Sequence, residues 1–142
     1  MITKIGLASW EGNLKTGKGT VSTESNAIQN LPYGFNTRFE GENGTNPEEL
    51  IGAAHAACFS MALSKILGDA GITAAMISSE SIVHLEKDGD GFSINKIELQ
   101  SIITAHGADA ETIKDCANKA KEGCPVSKLF NANITLEVTV KT

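Results

Sequence analysis

The sequence predicts an α+β fold, with antiparallel sheets and one long central helix, and three patterns carry that reading. Strand-like segments come in pairs joined by Gly/Asn/Asp turns. An alanine-rich apolar run follows the helix start Asn46-Pro47-Glu48-Glu49-Leu50. The order ββ-α-ββ-α-β separates helices from paired strands instead of alternating them singly, which favours antiparallel pairing. A single domain over residues 1–142 is the expected organisation.

Ile2 to Trp10 and Lys18 to Thr23 read as a hairpin closed through Gly12, Asn13 and Gly17. Asn30 to Asn46, with Pro32, Gly34, Gly41, Asn43 and Gly44, reads as loop. The long helix has a mechanism for its start: Asn46 caps it, Pro47 takes the first helical position, and two acids face the positive first turn. It continues to Gly68 or Gly71, longer than an average globular helix. Ala75 to Lys87 and Phe92 to Ala105 form a second strand pair around the turn Asp88-Gly89-Asp90-Gly91. Asp109 caps a second helix ending at Gly123, and Pro125 to Phe130 forms a helical turn. A closing strand, Asn133 to Lys141, places Ile134, Leu136, Val138 and Val140 on one face.

With 41% hydrophobic and 20% charged residues, the composition is that of a soluble globular domain. A net charge of -5 without clustered cations argues against nucleic acid as a partner. The first ten residues lack the continuous apolar stretch of a signal peptide. His55, Ser60, Ser64 and Lys65 interrupt the apolar run, so no membrane span is expected and the cytoplasm is the default location. In a reducing compartment the three cysteines are then free, metal-bound or catalytic thiols, not a structural disulfide framework.

Each cysteine has its own address. Cys116 falls in register with Ile113, Ala117 and Ala120 on one helix face, as a buried packing thiol would. Cys58 lies mid-helix in Ala56-Ala57-Cys58-Phe59, where core packing is one reading and chemistry the other. Cys124 tips the balance toward chemistry. Between Gly123 and Pro125 it takes the N-cap of a short helix, a position that favours a thiolate and is expected to leave the sulfur more reachable than a mid-helix one. A resolving thiol needs such access to attack a partner's sulfenic acid and close a disulfide.

A mid-helix thiol among alanines reacts poorly unless a cation stands beside it. The chain has eleven lysines and a single arginine, Arg38, set between Phe35 and Phe39. A fixed charge with planar, bidentate geometry is what arginine offers and lysine does not. Glu48 and Glu49 are both first-turn helix stabilisers by position, and one of them is a candidate to hold Arg38. Glu48 lies ten residues before Cys58, about 15 Å of helix rise. Two copies of the helix crossing antiparallel near Ala53 and Ala54 would bring Glu48 of one to Cys58 of the other, so a homodimer with composite sites is predicted. His55, three residues before Cys58, is a candidate to tune the thiol or to join the two cysteines around a metal, although the spacing is a weak zinc signal.

These residues resemble a known family. Pro32-Tyr33-Gly34-Phe35-Asn36-Thr37-Arg38-Phe39-Glu40-Gly41, the run Thr45-Asn46-Pro47-Glu48-Glu49-Leu50 continuing to Ala57-Cys58-Phe59, and Gly123-Cys124-Pro125-Val126-Ser127 are similar, in the same order, to the osmotically inducible protein C (OsmC) branch of the OsmC/organic hydroperoxide resistance (Ohr) family. The resemblance implies an intertwined α+β homodimer with two interfacial sites. It implies a thiol peroxidase that reduces organic hydroperoxides, and hydrogen peroxide less well, in oxidative and osmotic stress defence. By position Cys58 resembles the peroxidatic thiol, Cys124 the resolving thiol, Arg38 the arginine of this branch, and Glu48 its partner. The related branch takes its arginine from an N-terminal Gly-rich loop, where this sequence carries Lys18. A lipoyl-type or thioredoxin-like dithiol would recycle the disulfide, with no metal or other cofactor. Phe35, Phe39 and Phe59 are the candidate walls for an alkyl tail. The alternative from another class is a non-enzymatic small-molecule or metal-binding module that uses the same cysteines.

Overall fold

Asparagine chemistry closes the first hairpin. In the structure, a computed structural model describing residues 1–142, Gly6–Glu11 (β1) and Lys18–Thr23 (β2) pair antiparallel. Asn13 Oδ1 accepts from the Lys15 and Thr16 amides at 3.1 and 3.0 Å, which folds the chain back on itself between the two strands. Leu31–Tyr33 (β3) adds a third antiparallel strand beside β2, and Phe35–Phe39 (α1) forms a five-residue helix. Both lie where the sequence predicts only loop. Elements this short span less than two helical turns or two strand repeats, so they leave no periodicity to read.

The chain gathers into two units, Met1–Leu50 and Ile51–Thr142. The first holds the β1–β2–β3 sheet and α1. It buries no large apolar side chain, and Leu7, Trp10, Leu14, Leu31 and Phe39 are all exposed. Gly19 is buried under the Tyr33 and Trp10 rings, so close that a Cβ there would lie 2.4 Å from a Tyr33 ring carbon.

The long helix, Pro47–Asp69 (α2), begins as predicted, with Asn46 Oδ1 accepting from the Glu49 amide at 2.8 Å. By length and composition it would suffice to cross a membrane, since its polar interruptions leave a mean hydropathy of 1.5 over the most apolar stretch. In the second unit one stripe of it is buried: Gly52, His55, Phe59, Leu63 and Leu67. This i, i+3, i+7 spacing meets Leu99, Ile103, Ile113, Ala117 and Ala120 in one core. The polar residues on this side are satisfied by the sheet: Ser60 donates to Ser79, which bonds Ser101 in turn, at 2.9 and 3.0 Å.

Met76–Asp88 (β4) and Gly91–Thr104 (β5) form the expected hairpin, with Gly89 at φ +59° in its turn. Asp109 caps Ala110–Gly123 (α3) by accepting from the Thr112 amide at 3.0 Å, and Cys116 is buried on the predicted stripe. Pro125–Leu129 (α4) follows directly. The last strand, Asn133–Lys141 (β6), corrects one expectation: it pairs with β5 in parallel, so this sheet is mixed, not antiparallel throughout. The two helices between β5 and β6 make a crossover that carries the chain back to the start of β5, and a strand entered there runs alongside it. In this register Ile97, Leu99 and Ile103 stand beside Ile134, Leu136 and Val140.

Candidate active site

Two elements converge on one pair of sulfurs. Cys58 lies mid-way along α2, and Cys124 joins α3 to α4 as C-cap of one and N-cap of the other. Residues 66 positions apart in sequence place their Sγ atoms 2.7 Å apart, as free thiols sharing a hydrogen bond. Exposure reverses the expectation that the turn cysteine is the reachable one. Cys124 is fully buried, whereas Cys58 is half-buried. The N-cap points its sulfur inward against α2, so the reachable thiol is the mid-helix one.

The two sulfurs titrate as a coupled pair. Burial pushes the Cys58 thiol up, and the hydrogen bond with Cys124 adds to this, while the Val126 amide pulls it back. Burial also pushes Cys124 up, but the bond with Cys58 and donors from Ser127 and Val126 outweigh it and bring that thiol below its ordinary value. The sulfur makes no regular N-cap bond. Its stabilisation comes instead from several donors converging on it at the start of α4.

His55 lies beneath this pair, fully buried. Its Nδ1 is 2.9 Å from Ser81 Oγ and its Nε2 2.8 Å from Ser127 Oγ, so both ring nitrogens are already engaged. Burial holds its pKa below the ordinary histidine value. A ring with both nitrogens bonded to serines has none left for a metal shared with Cys58 and Cys124.

Arg38 and Glu48 form a second feature, within the first unit. Arg38 Nε donates to Glu48 Oε2 at 3.1 Å and Nη2 to Oε1 at 2.5 Å, a two-pronged ion pair. Glu48 is therefore the acid that holds the arginine, while the Glu49 amide serves the helix cap. The guanidinium also stands over the Phe39 ring, 5.2 Å from its centroid. A cavity of about 310 Å³ opens here, lined by Trp10, Leu14, Tyr33, Phe35, Phe39 and Arg38. Phe35 and Phe39 thus sit where an apolar ligand would touch them. Phe59 does not: it is fully buried in the core among Leu63 and Leu99, because the α2 stripe that carries it faces the sheet.

Sequence reasoning missed Trp10 and Tyr33 as cavity walls and Ser81 and Ser127 as partners of His55. The chain's one Trp and one Tyr gave a compositional hint, and Ser127 stands three residues after an N-cap cysteine. Nothing in the sequence placed Ser81 under the helix.

Residues 39–139 match the family model for OsmC-like protein. The chain is 58% identical to Peroxiredoxin OsmC of Escherichia coli over 141 residues, 99% of each. It is 35% identical to organic hydroperoxide resistance protein OhrB of Bacillus subtilis, over 75% of this chain and 76% of that one. Among solved structures, an organic hydroperoxide resistance protein OsmC from Legionella pneumophila superposes with a TM-score of 0.72 at 25% identity, covering 100% of this chain and 98% of that one.

Proposed function

The chain belongs to the OsmC-like protein family, and from that premise we propose that it is a cysteine-based peroxidase reducing organic hydroperoxides in stress defence. The observation that carries this reading is the sulfur pair. A core thiol gains nothing from a second thiol in bonding reach, whereas a peroxidatic one can be resolved by it. Cys58, the reachable sulfur, attacks the distal peroxide oxygen as thiolate; the O–O bond breaks and the alkoxide leaves as alcohol after taking a proton. Cys124 then attacks the sulfenic sulfur, an S–S bond forms, and the S–O bond breaks to release water. An external dithiol, lipoyl-type or thioredoxin-like, returns two electrons and two protons. That recycling suits the reducing cytoplasm.

The site is completed across a homodimer. Ten residues of continuous helix part Glu48 from Cys58, about 15 Å of rise. Cys58, raised by burial, has no cation among the influences on its own titration. Arg38 of the partner subunit, fixed by the partner's Glu48, would supply that charge and draw the thiolate from Cys124 to Cys58. Two features support a second copy as the occupant. Ala53, Ala54, Ala57 and Met61 leave an apolar stripe of α2 uncovered, and the first unit's sheet lacks a buried core of its own. The cavity beside Arg38 then receives the alkyl tail.

Thiol counting tests the chemistry. One equivalent of cumene hydroperoxide is expected to remove two of the three thiols, leaving buried Cys116, and Cys58→Ser is expected to abolish the loss. An unchanged thiol count in the wild-type protein would instead support a binding module.

A further inference from the structure

The peroxidase cycle leaves one buried feature unused, the chain Ser81–His55–Ser127 beneath Cys124. We propose that His55 is a positioning residue for the resolving step: its Nε2–H donates to Ser127 Oγ, which leaves the Ser127 hydroxyl proton free to point at the Cys124 sulfur. The inference rests on Cys124 being the resolving thiol.

Ser127 has one hydroxyl proton and two acceptors in reach, His55 Nε2 at 2.8 Å and the Cys124 sulfur three residues back. A thiolate is the stronger acceptor, so the proton belongs on the sulfur side and the ring must supply the other. A neutral ring has one N–H. Placing it on Nε2 leaves Nδ1 bare, and Ser81 Oγ, 2.9 Å away, donates to it. Every hydrogen bond in the buried chain is then satisfied in one direction, from β4 through α2 to α4. The ring cannot rotate out of this arrangement. It is fully buried, and Phe130 meets it edge-on at 5.1 Å. The influences on Cys124 are burial, Cys58, Ser127 and Val126, and on His55 burial alone; no charged side chain is among them.

During turnover the arrangement matters once Cys58 is a sulfenic acid. The hydrogen bond that Cys124 gives Cys58 in the reduced pair is then gone, and donors at the start of α4 must keep Cys124 ionised for attack.

The test uses the full chain with Cys58→Ser and Cys116→Ala, so that Cys124 is the sole thiol, and follows its thiolate absorbance against pH. Ser127→Ala and His55→Phe are each expected to raise the midpoint by about one pH unit, a tenfold loss of thiolate on the acid limb, as for one lost charge-assisted hydrogen bond. His55→Gln, whose amide can donate to Ser127, is expected to bring the midpoint most of the way back to wild type, which a purely structural role would not. An unmoved midpoint in folded Ser127→Ala, or a shift there that folded His55→Phe does not share, would overturn the proposal. Nitrogen-15 NMR of the wild-type protein gives a second reading that needs no variant: the Nε2–H tautomer supports it and the Nδ1–H tautomer refutes it. Peroxide-driven closure of the Cys58–Cys124 disulfide in wild type is scored separately, so failure of the peroxidase reading is distinguishable from failure of the histidine's role.

Discussion

Two inactive versions of this protein are expected to repair each other when mixed. Arg38→Met removes the guanidinium gripped by Glu48 through bonds of 3.1 and 2.5 Å, and Cys58→Ser removes the proposed nucleophile. Each change alone is expected to silence both sites: the serine completely, the methionine by roughly a hundredfold, the usual scale for losing one preorganised charge-stabilising group. In a mixed dimer with composite sites, the chain that keeps Cys58 receives Arg38 of the partner subunit. That site is intact, and the opposite one lacks both groups. Random reassociation of equal amounts makes about half the dimers mixed, each with one good site of two. Activity therefore returns to about a quarter of wild type, well above the level of either variant alone. The assay is turnover of cumene hydroperoxide with a dithiol donor after joint unfolding and refolding, with mass measured in parallel. A species of twice the 14.9 kDa chain mass is expected. Mixed dimers that regain no activity, or full activity at the mass of a single chain, would show that the site lies within one subunit and refute the helix-crossing argument.

Two further outcomes follow from the second unit. Because burial holds the folded His55 pKa below its ordinary 6.5, the unfolded chain takes up this proton first on acidification. Stability from this group is complete above 6.5 and falls as the pH drops from there toward the folded value; thermal melts should show that decline, and a slope unchanged by His55→Gln would disprove it. Gly52→Ala, normally favourable in a helix, should destabilise by about 1–3 kcal/mol in urea titrations, because the new Cβ would lie 2.8 Å from the Ser81 carbonyl oxygen, a backbone atom with nowhere to turn. A neutral or stabilising result would mean that α2 can lift from β4 without cost.

Much of the fold was legible because its signals are local. Asn46 and Asp109 cap their helices as read, the Asp88–Gly91 turn closes its hairpin, and Cys116 falls on the stripe its spacing dictates. Caps, tight turns and the helical period depend on neighbours within a few residues, so sequence order reports them directly. Phe59 shows the limit: its placement on a helix could be read, but whether that face met a pocket or a sheet could not. The parallel pairing of β6 likewise depended on where a crossover delivered the strand.

From sequence alone came the candidates for the reactive groups: two thiols at separate addresses, a lone arginine, and an acid at a helix start. Only tertiary structure decided that the sulfurs sit 2.7 Å apart, that Cys58 is the reachable one, that Glu48 and not Glu49 grips Arg38, and that a buried histidine stands behind the second thiol. The physical reason is that which groups can react is covalent information, carried residue by residue. Distance and solvent access instead arise from packing between segments dozens of residues apart, where every local signal has ended.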